Sequence, residues 1–133
     1  MTKVYPARET SPRALETDAL ITVTDVLKGS KSIDRIVISQ GGGSKDGLVI
    51  NPVQYSLAEV GVRCLWFLQE DKRLDAPARD GVNRYFVTGS WPGMLCAEDG
   101  RIHVQTRHVD WFRAQYHGKG LDEVKAEVLS VLP

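Results

Sequence analysis

Two apolar strands constrain what this chain can fold into more than any other feature. The first covers residues 19–27 (ALITVTDVL) and is followed by a Lys-Gly turn, and the second covers residues 62–68 (VRCLWFL). Apolar residues of the first strand alternate at Ile21 and Val23 and then shift parity to Val26, which predicts a β-bulge at residues 24–25. Because bulges help a sheet to curl on itself, the pair predicts a small closed or partly open β-barrel.

Turn signals divide the remaining sequence into further strands and loops. Residues 7–18 are polar and contain a proline, so they predict a long exposed hairpin connection, and residues 41–47 predict a flexible glycine loop rather than a phosphate cradle. Strands are expected at residues 33–40, 48–50, 84–89 and 94–97, and the Asp99-Gly100 pair predicts a tight hairpin that continues at Ile102. Residues 62–68 are apolar on both faces, which predicts that they form the most buried strand.

The apolar period changes to that of a helix after Val109. Leu121, Val124, Val128 and Val131 fall on one helix face, which needs a partner such as residues 62–68. We therefore expect one domain over residues 1–133, all-β with a C-terminal helix. Residues 1–107 would form an OB-like β-barrel and residues 108–133 the C-terminal helical segment.

The charge balance and the hydropathy of the chain weigh against several classes of protein. The 17 basic and 17 acidic residues give a formal net charge of zero, whereas most nucleic-acid binders carry a basic excess. No apolar run approaches the roughly 20 residues of a membrane-spanning helix. The first residues also lack the apolar stretch of a signal peptide, so either a cytoplasmic protein or the removal of a leader fits the sequence.

The two cysteines, Cys64 and Cys96, lie in apolar strands. Two cysteines are too few for a disulfide scaffold, and a small buried thiol packs well, so we expect unpaired thiols. A disulfide is the alternative if the fold places their strands side by side.

The order of these elements resembles the netrin-like domain, also called the tissue-inhibitor-of-metalloproteinase-like OB-fold. Three motifs carry a closer similarity to uncharacterised bacterial cell-envelope domains: VLKG at residues 26–29, the glycines at residues 41–43 and VGxRxLxFL at residues 60–68. The resemblance covers most of residues 19–104. It implies an OB-like fold and a bacterial cell-envelope or secreted protein.

The N-terminus departs from this family in two ways. The metalloproteinase inhibitors of the family chelate zinc through an N-terminal cysteine, whereas this chain begins Met1-Thr2-Lys3, so inhibition by that mechanism is not expected here. The first strand is also short, with only Val4 and Tyr5 ahead of a proline. A short first strand would leave an exposed edge, which predicts a homodimer through the N-terminal edge.

One strand face offers a candidate ligand-binding surface. Its members are Arg101, His103, Gln105 and Arg107 on the last strand, with Arg84 on a neighbouring hairpin. Such a mixture could stack on and neutralise single-stranded nucleic acid on an OB-fold face, although the zero net charge makes nucleic acid an unfavoured partner. The three tryptophans could line an oligosaccharide site, but packing in the core and in turns is the favoured interpretation.

The imidazole and carboxylate side chains near the C-terminus are the other chemical candidates. His103, His108, Asp110 and His117 suit zinc chemically but lack the paired spacing of structural zinc sites, so we expect surface histidines, no metal and no cofactor. No nucleophile-elbow motif is present. The sequence thus predicts a non-catalytic module that binds a protein partner. Single-stranded nucleic-acid or oligosaccharide binding on the barrel face is the alternative, and hydrolysis through His108, Asp110 and His117 is disfavoured.

Overall fold

A computed structural model of the chain describes residues 3–29, 32–50, 57–88, 94–103 and 114–131. Short strands dominate these residues, and one regular helix follows them. The strands are β1 (Lys3–Val4), β2 (Arg8–Ser11), β3 (Ala14–Thr22), β4 (Arg35–Gly41), β5 (Gly43–Lys45), β6 (Leu48–Ile50), β7 (Arg63–Trp66), β8 (Leu68–Glu70), β9 (Arg84–Val87), β10 (Met94–Glu98) and β11 (Arg101–Ile102), and the helix is α1 (Leu121–Val131).

The largest sheet has six strands in the order β1-β3-β4-β9-β8, with β2 also paired to β3. The β3–β4 and β8–β9 pairs are antiparallel, whereas β4 and β9 run parallel. Strands β1 and β2 pair with successive parts of β3 and are separated by Pro6, which has no N–H to donate to a ladder. Together they form one interrupted edge strand.

The core lies on both faces of β3 and β4. Ala19 and Ile21 pack with Ile36 and Ile38 on one face, and a second apolar cluster on the other face contains Leu20, Val37 and Tyr5. This arrangement follows from the register, because Ala19 is opposite Ile38 and Leu20 is opposite Val37, so apolar pairs alternate between the faces. The strand at residues 62–68, which the sequence predicts to be the most buried, is only half-buried over β7.

A second sheet of three strands, in the order β11-β10-β7, carries the helix. Leu121 and Val124 of α1 pack on Leu95 and Ile102, with Leu65 of β7 at the margin of the same cluster. The predicted packing of the C-terminal helix on the strand at residues 62–68 is therefore confirmed at Leu65. The chain passes from this sheet into the six-stranded sheet at Phe67, between β7 and β8.

The prediction of a long exposed connection at residues 7–18 is wrong. These residues form β2, a tight turn with Arg13 at φ 61°, and the first half of β3. The predicted strand at residues 19–27 accordingly begins earlier and ends at Thr22, so the expected bulge at residues 24–25 lies outside any strand. The polar residues Glu16 and Asp18 of β3, which suggested a loop, are instead paired with arginines of other segments.

The expectation of unpaired cysteines is also wrong. Cys64 on β7 and Cys96 on β10 are direct register partners and form a disulfide with a sulfur–sulfur distance of 2.07 Å. The glycine segment is an ordered hairpin rather than a flexible loop, because β5 pairs with β6 across a turn in which Asp46 and Gly47 both have positive φ.

The all-β class with a C-terminal helix is confirmed. The predicted hairpin is also confirmed, because Asp99 and Gly100 have φ angles of 51° and 79° between β10 and β11. Across the described residues the strands form three separate sheets that are not closed into a barrel. In the same part of the chain, no helix is long and apolar enough to cross a membrane.

Candidate functional site

A buried carboxylate lies at the centre of the six-stranded sheet. Asp18 on β3 is 1% exposed. Its Oδ1 accepts hydrogen bonds from Ser39 Oγ and from Arg84 Nη1, both at 2.7 Å, and its Oδ2 accepts one from Arg79 Nε at 3.1 Å. A carboxylate without water around it needs such partners, because burying an unpaired charge costs several kcal/mol.

The sheet register explains how these partners meet. Asp18 is directly opposite Ser39 in the β3–β4 ladder, on the face that also carries Leu20 and Val37. The parallel pairing of β4 with β9 places Arg84 opposite Val37 on that face. Arg84 also donates a hydrogen bond to the carbonyl of Pro77, so the connection between β8 and β9 is tied to the same side chain.

The pKa of Asp18 is low despite its burial. Burial alone would raise this pKa, but hydrogen bonds from Arg84, Ser39 and Arg79 outweigh it and lower the pKa to about 2. A general acid or base works best with a pKa near the operating pH. Asp18 is therefore ionised at neutral pH and has a structural role rather than that of a general acid or base.

The network continues outward through a second layer of charges. Glu16 on β3 accepts hydrogen bonds from Arg8 and from two nitrogens of Arg73, at 2.7 and 3.1 Å for the latter. Arg73 also donates to both carboxylate oxygens of Asp71, and these hydrogen bonds lower the pKa of Asp71. Arg73 thus joins the β8–β9 connection to β3.

Tyr5 contacts the other end of the network, at Arg79 and Asp80. Its hydroxyl donates a 3.0 Å hydrogen bond to Asp80, and the Arg79 guanidinium lies 4.3 Å from its ring centre. Lys3 approaches the same ring at 4.6 Å. These cation–π contacts and the hydrogen bond fix the N-terminal segment on the connection that covers Asp18.

The whole cluster, called the ion network below, is compensated in charge. Its arginines are Arg8, Arg73, Arg79 and Arg84, and its carboxylates are Glu16, Asp18, Asp71 and Asp80. Every one of these groups has an opposite charge or a hydrogen-bond donor beside it. The arrangement suits the attachment of the β8–β9 connection to the sheet better than the binding of a free anion.

An aromatic patch lies next to the ion network on the same sheet. Phe86 on β9 is opposite Gln69 on β8, and Phe67 directly precedes β8. Both phenylalanines are 38% exposed. Leu68 and Val87 point into the core, so the alternation of the strand puts Phe67, Gln69 and Phe86 on the opposite face.

The described members of the predicted ligand-binding face, Arg84, Arg101 and His103, do not lie together on one sheet. Arg84 is buried in the ion network, whereas Arg101 is exposed in the three-stranded sheet and donates to the carbonyl of Gly118. His103 lies beside His117, with ring centres 5.1 Å apart. The other two members, Gln105 and Arg107, lie outside the described residues, as do His108 and Asp110.

Sequence reasoning missed the ion network. Glu16 and Asp18 alternate on one face of β3 with the polar Thr17 between them, a pattern that resembles an exposed strand or a loop. The basic partners are distant in sequence, and only the parallel β4–β9 pairing brings Arg84 to Asp18. The available signal was the series of arginines at positions 73, 79 and 84, the first two in the β8–β9 connection and the third at the start of β9.

Three other features of the described residues bear on which classes of ligand could bind. A groove of about 200 Å³ lies between residues 33–36 and residues 81–85, which is below the roughly 300–1,000 Å³ of typical small-molecule sites. Trp66 packs against the core cluster around Ile38, while Trp91 and Trp111 lie outside the described residues. No group of three or more metal-ligating side chains occurs in the part of the chain that the structure describes.

The class that the fold and site define is therefore a mainly β protein with a charge-compensated polar core and a C-terminal helix. No protein-family model, no curated protein and no solved structure matches the chain.

Proposed function

We propose that this chain is a non-catalytic binding module that recognises a protein partner through its aromatic patch. The observation that carries the proposal is the pair of half-exposed phenylalanines, Phe67 and Phe86, beside the ion network. Two aromatic rings on one sheet face, next to arginine and carboxylate groups, match the composition of binding hot spots, in which an apolar centre has a polar rim.

The ion network supports a structural rather than a catalytic role for the polar core. The low pKa of Asp18 keeps it ionised at neutral pH, and its hydrogen-bonding capacity is used by Ser39, Arg84 and Arg79. The ion network would favour binding because it makes the strands of the patch rigid. Because Arg73 and Arg84 attach the β8–β9 connection to the sheet, the strands that carry the two phenylalanines are held in place before a partner arrives, which lowers the ordering cost of association.

The N-terminal edge of the sheet is a weaker candidate for the partner-binding surface than the aromatic patch. Proline interrupts it at position 6, the register shifts between Glu9 and Ser11, and charged Lys3 and Arg8 lie along it. These are devices by which natural sheets resist strand addition. A homodimer through this edge would have to form despite these features. We therefore place the partner interface at the patch formed by Phe67 and Phe86.

The setting we propose is an oxidising compartment, such as the bacterial cell envelope or the extracellular medium. The Cys64–Cys96 disulfide supports this setting, because structural disulfides persist mainly outside the reducing cytosol. The same setting is implied by the resemblance to netrin-like OB-fold domains of bacterial envelope proteins. An OB-like arrangement of the two larger sheets is part of this proposal, since the chain passes from one sheet to the other at Phe67.

Site-specific photo-crosslinking tests the proposal. A photoreactive phenylalanine analogue would replace Phe67 or Phe86, and the protein would be illuminated in an extract of the organism that encodes it. Leu74 is the control, because it is fully exposed and belongs to the β8–β9 connection rather than to the strands that carry the patch. We expect one discrete polypeptide crosslinked from positions 67 and 86 and not from position 74.

Two outcomes would overturn the proposal. One is the same set of crosslinked products from all three positions, or none from positions 67 and 86. The other is salt-sensitive binding to single-stranded oligonucleotides or saturable binding to oligosaccharides that persists in the Phe67→Ala and Phe86→Ala variants, because either would place a different ligand on a different face. A crosslinked dimer of the chain itself would identify the partner as a second copy.

A further inference from the structure

We propose that His103 and His117 form a binding site for one divalent transition-metal ion, such as Zn²⁺, Ni²⁺ or Cu²⁺. Histidine is the commonest protein ligand for these ions, and imidazole suits all three. The two rings come from segments that are distant in sequence, one following β11 and one preceding α1, and they meet with their centres 5.1 Å apart. Neither ring belongs to the ion network or to the aromatic patch.

The ring separation fits a shared ion. A nitrogen of each ring at about 2.0–2.1 Å from the metal places the ring centres about 3.2 Å from it, so a nitrogen–metal–nitrogen angle between about 90° and 110° separates the centres by about 4.5–5.3 Å. The observed 5.1 Å lies inside this interval. The rings are inclined at 61°, and rotation about χ2, a soft torsion in histidine, can direct one nitrogen of each toward the same point.

Backbone hydrogen bonds hold the two segments in this register. The amide of Ile102 donates to the carbonyl of Lys119 at 2.7 Å, and the amide of Gly118 donates to the carbonyl of Ile102 at 2.8 Å. Arg101 and Gly120 form an antiparallel bridge at the end of this short ladder. The residues that carry the two imidazoles therefore flank a ladder of three backbone contacts.

The disulfide adds a second constraint to the His103 side of the site. The amide of His103 donates to the carbonyl of Cys96 at 3.0 Å, which continues the β10–β11 register by one pair. Cys96 is in turn covalently joined to Cys64 on β7. A site that is preorganised in this way loses less conformational entropy when it binds an ion.

The charged groups around the pair are largely engaged elsewhere. Lys119 forms an ion pair with Glu127 at 3.0 Å, and Arg101 donates to the carbonyl of Gly118. Glu98 is opposite Arg101 in the hairpin and adds a negative charge on the same side. His103 is exposed and His117 is half-buried, so an ion can reach both and complete its coordination with water.

Thermal unfolding with and without metal tests the site. The full chain, first treated with a chelator, would be melted at pH 7.5 in ZnCl₂, NiCl₂ or CuCl₂, with MgCl₂ as the control for a hard cation. An ion that binds only the folded state raises the Tm, by about 2–8 °C at a concentration well above its dissociation constant. We expect that rise for the wild type and its loss in His103→Gln and in His117→Gln.

The chain provides its own control, because His108 is the third histidine of the sequence. His108→Gln should retain the rise in Tm. In a histidine NMR spectrum, substoichiometric Cu²⁺ should broaden the imidazole resonances of His103 and His117 before those of His108, which needs no variant and so avoids any question of folding.

Three results would overturn the proposal. The first is an unchanged Tm of the wild type in all three transition metals at millimolar concentration. The second is an equal rise in the wild type and in both glutamine variants. The third is broadening of His108 first, because the ion would then bind elsewhere.

Discussion

At the scale of single residues, the protein is distinguished by a carboxylate that is almost inaccessible to water and yet ionised. Asp18 is compensated by Arg84, Ser39 and Arg79, each within hydrogen-bonding distance. A buried ion pair is roughly neutral in stability when compared with an apolar pair of the same size, but the loss of one partner leaves the other charge buried and alone. Replacing Arg84 alone should therefore destabilise the protein more than replacing Asp18 and Arg84 together.

Arg84→Met should lower the free energy of unfolding by about 3–5 kcal/mol, because it leaves Asp18 without its closest cation. The double variant Asp18→Asn/Arg84→Met should recover a substantial part of that loss, since it also removes the charge. Urea denaturation measures both values. Arg63→Met, at an exposed arginine of β7, is the control and should change the stability by no more than about 0.5 kcal/mol. Additive losses in the double variant would show that the two side chains are not coupled.

The pKa of Asp18 also predicts a dependence of stability on pH. Its value in the folded protein is about 2, below the ordinary 3.8, so ionised Asp18 stabilises the fold above pH 3.8, and this contribution is lost as the pH falls toward 2. The difference corresponds to about 2 kcal/mol. Urea denaturation at intervals between pH 5 and pH 2 should show this loss in the wild type and a flatter profile in Asp18→Asn. Identical profiles in the wild type and in Asp18→Asn would mean that protonation of Asp18 is not coupled to unfolding.

At the scale of secondary-structure elements, the sequence predicts turns and the helix better than it predicts the strands around the ion network. Asp99-Gly100 specified its hairpin locally, and the apolar spacing of Leu121 and Val124 specified the buried face of α1. The first half of β3 was missed because Glu16 and Asp18 are polar. Their burial depends on arginines that only the tertiary fold brings near, and no local pattern carries that information.

The β7–β10 strand pair is the part of the fold that the Cys64–Cys96 disulfide joins covalently. Cys64→Ser should lower the free energy of unfolding by about 2–4 kcal/mol, because the disulfide closes a loop with a sequence separation of 32 and so restricts the unfolded chain. Chemical denaturation of the variant and of the wild type measures this difference.

A reducing agent provides the control for the disulfide prediction. Dithiothreitol should destabilise the wild type to a similar extent and should leave the Cys64→Ser/Cys96→Ser variant unchanged. Two thiols that react in the denatured, unreduced wild type would contradict the disulfide. Such a result would also remove the main support for an oxidising compartment.

At the scale of the whole molecule, the two larger sheets share a core. Trp66 of the three-stranded sheet packs against the cluster around Ile38, and Gln40 donates a hydrogen bond to the sulfur of Met94. Lys125 of α1 forms an ion pair with Asp25, beyond the end of β3. Contacts of this kind cross from one sheet to the other, so we expect the sheets to unfold as one cooperative unit.

Amide hydrogen exchange tests this cooperativity. The amide of Val37 in the six-stranded sheet and the amide of Ile102 in the three-stranded sheet are both hydrogen-bonded, and both residues are buried. We expect both amides to exchange only through global unfolding, with opening free energies that agree with each other and with urea denaturation. A much lower value for Ile102 alone would show that the three-stranded sheet and α1 open independently.

The parallel pairing of β4 with β9 also affects how fast the chain can fold. The core of β3 and β4 is local, because a hairpin-like connection joins the two strands. Arg84 is 66 positions from Asp18 in the sequence, beyond the glycine hairpin, β7 and β8, so their contact is nonlocal. Pairings between distant segments must form before their contacts stabilise them, and proteins dominated by such pairings fold in about milliseconds to seconds. We therefore expect the docking of β9 to be a late step of folding, with Asp18 hydrated until that step buries its charge.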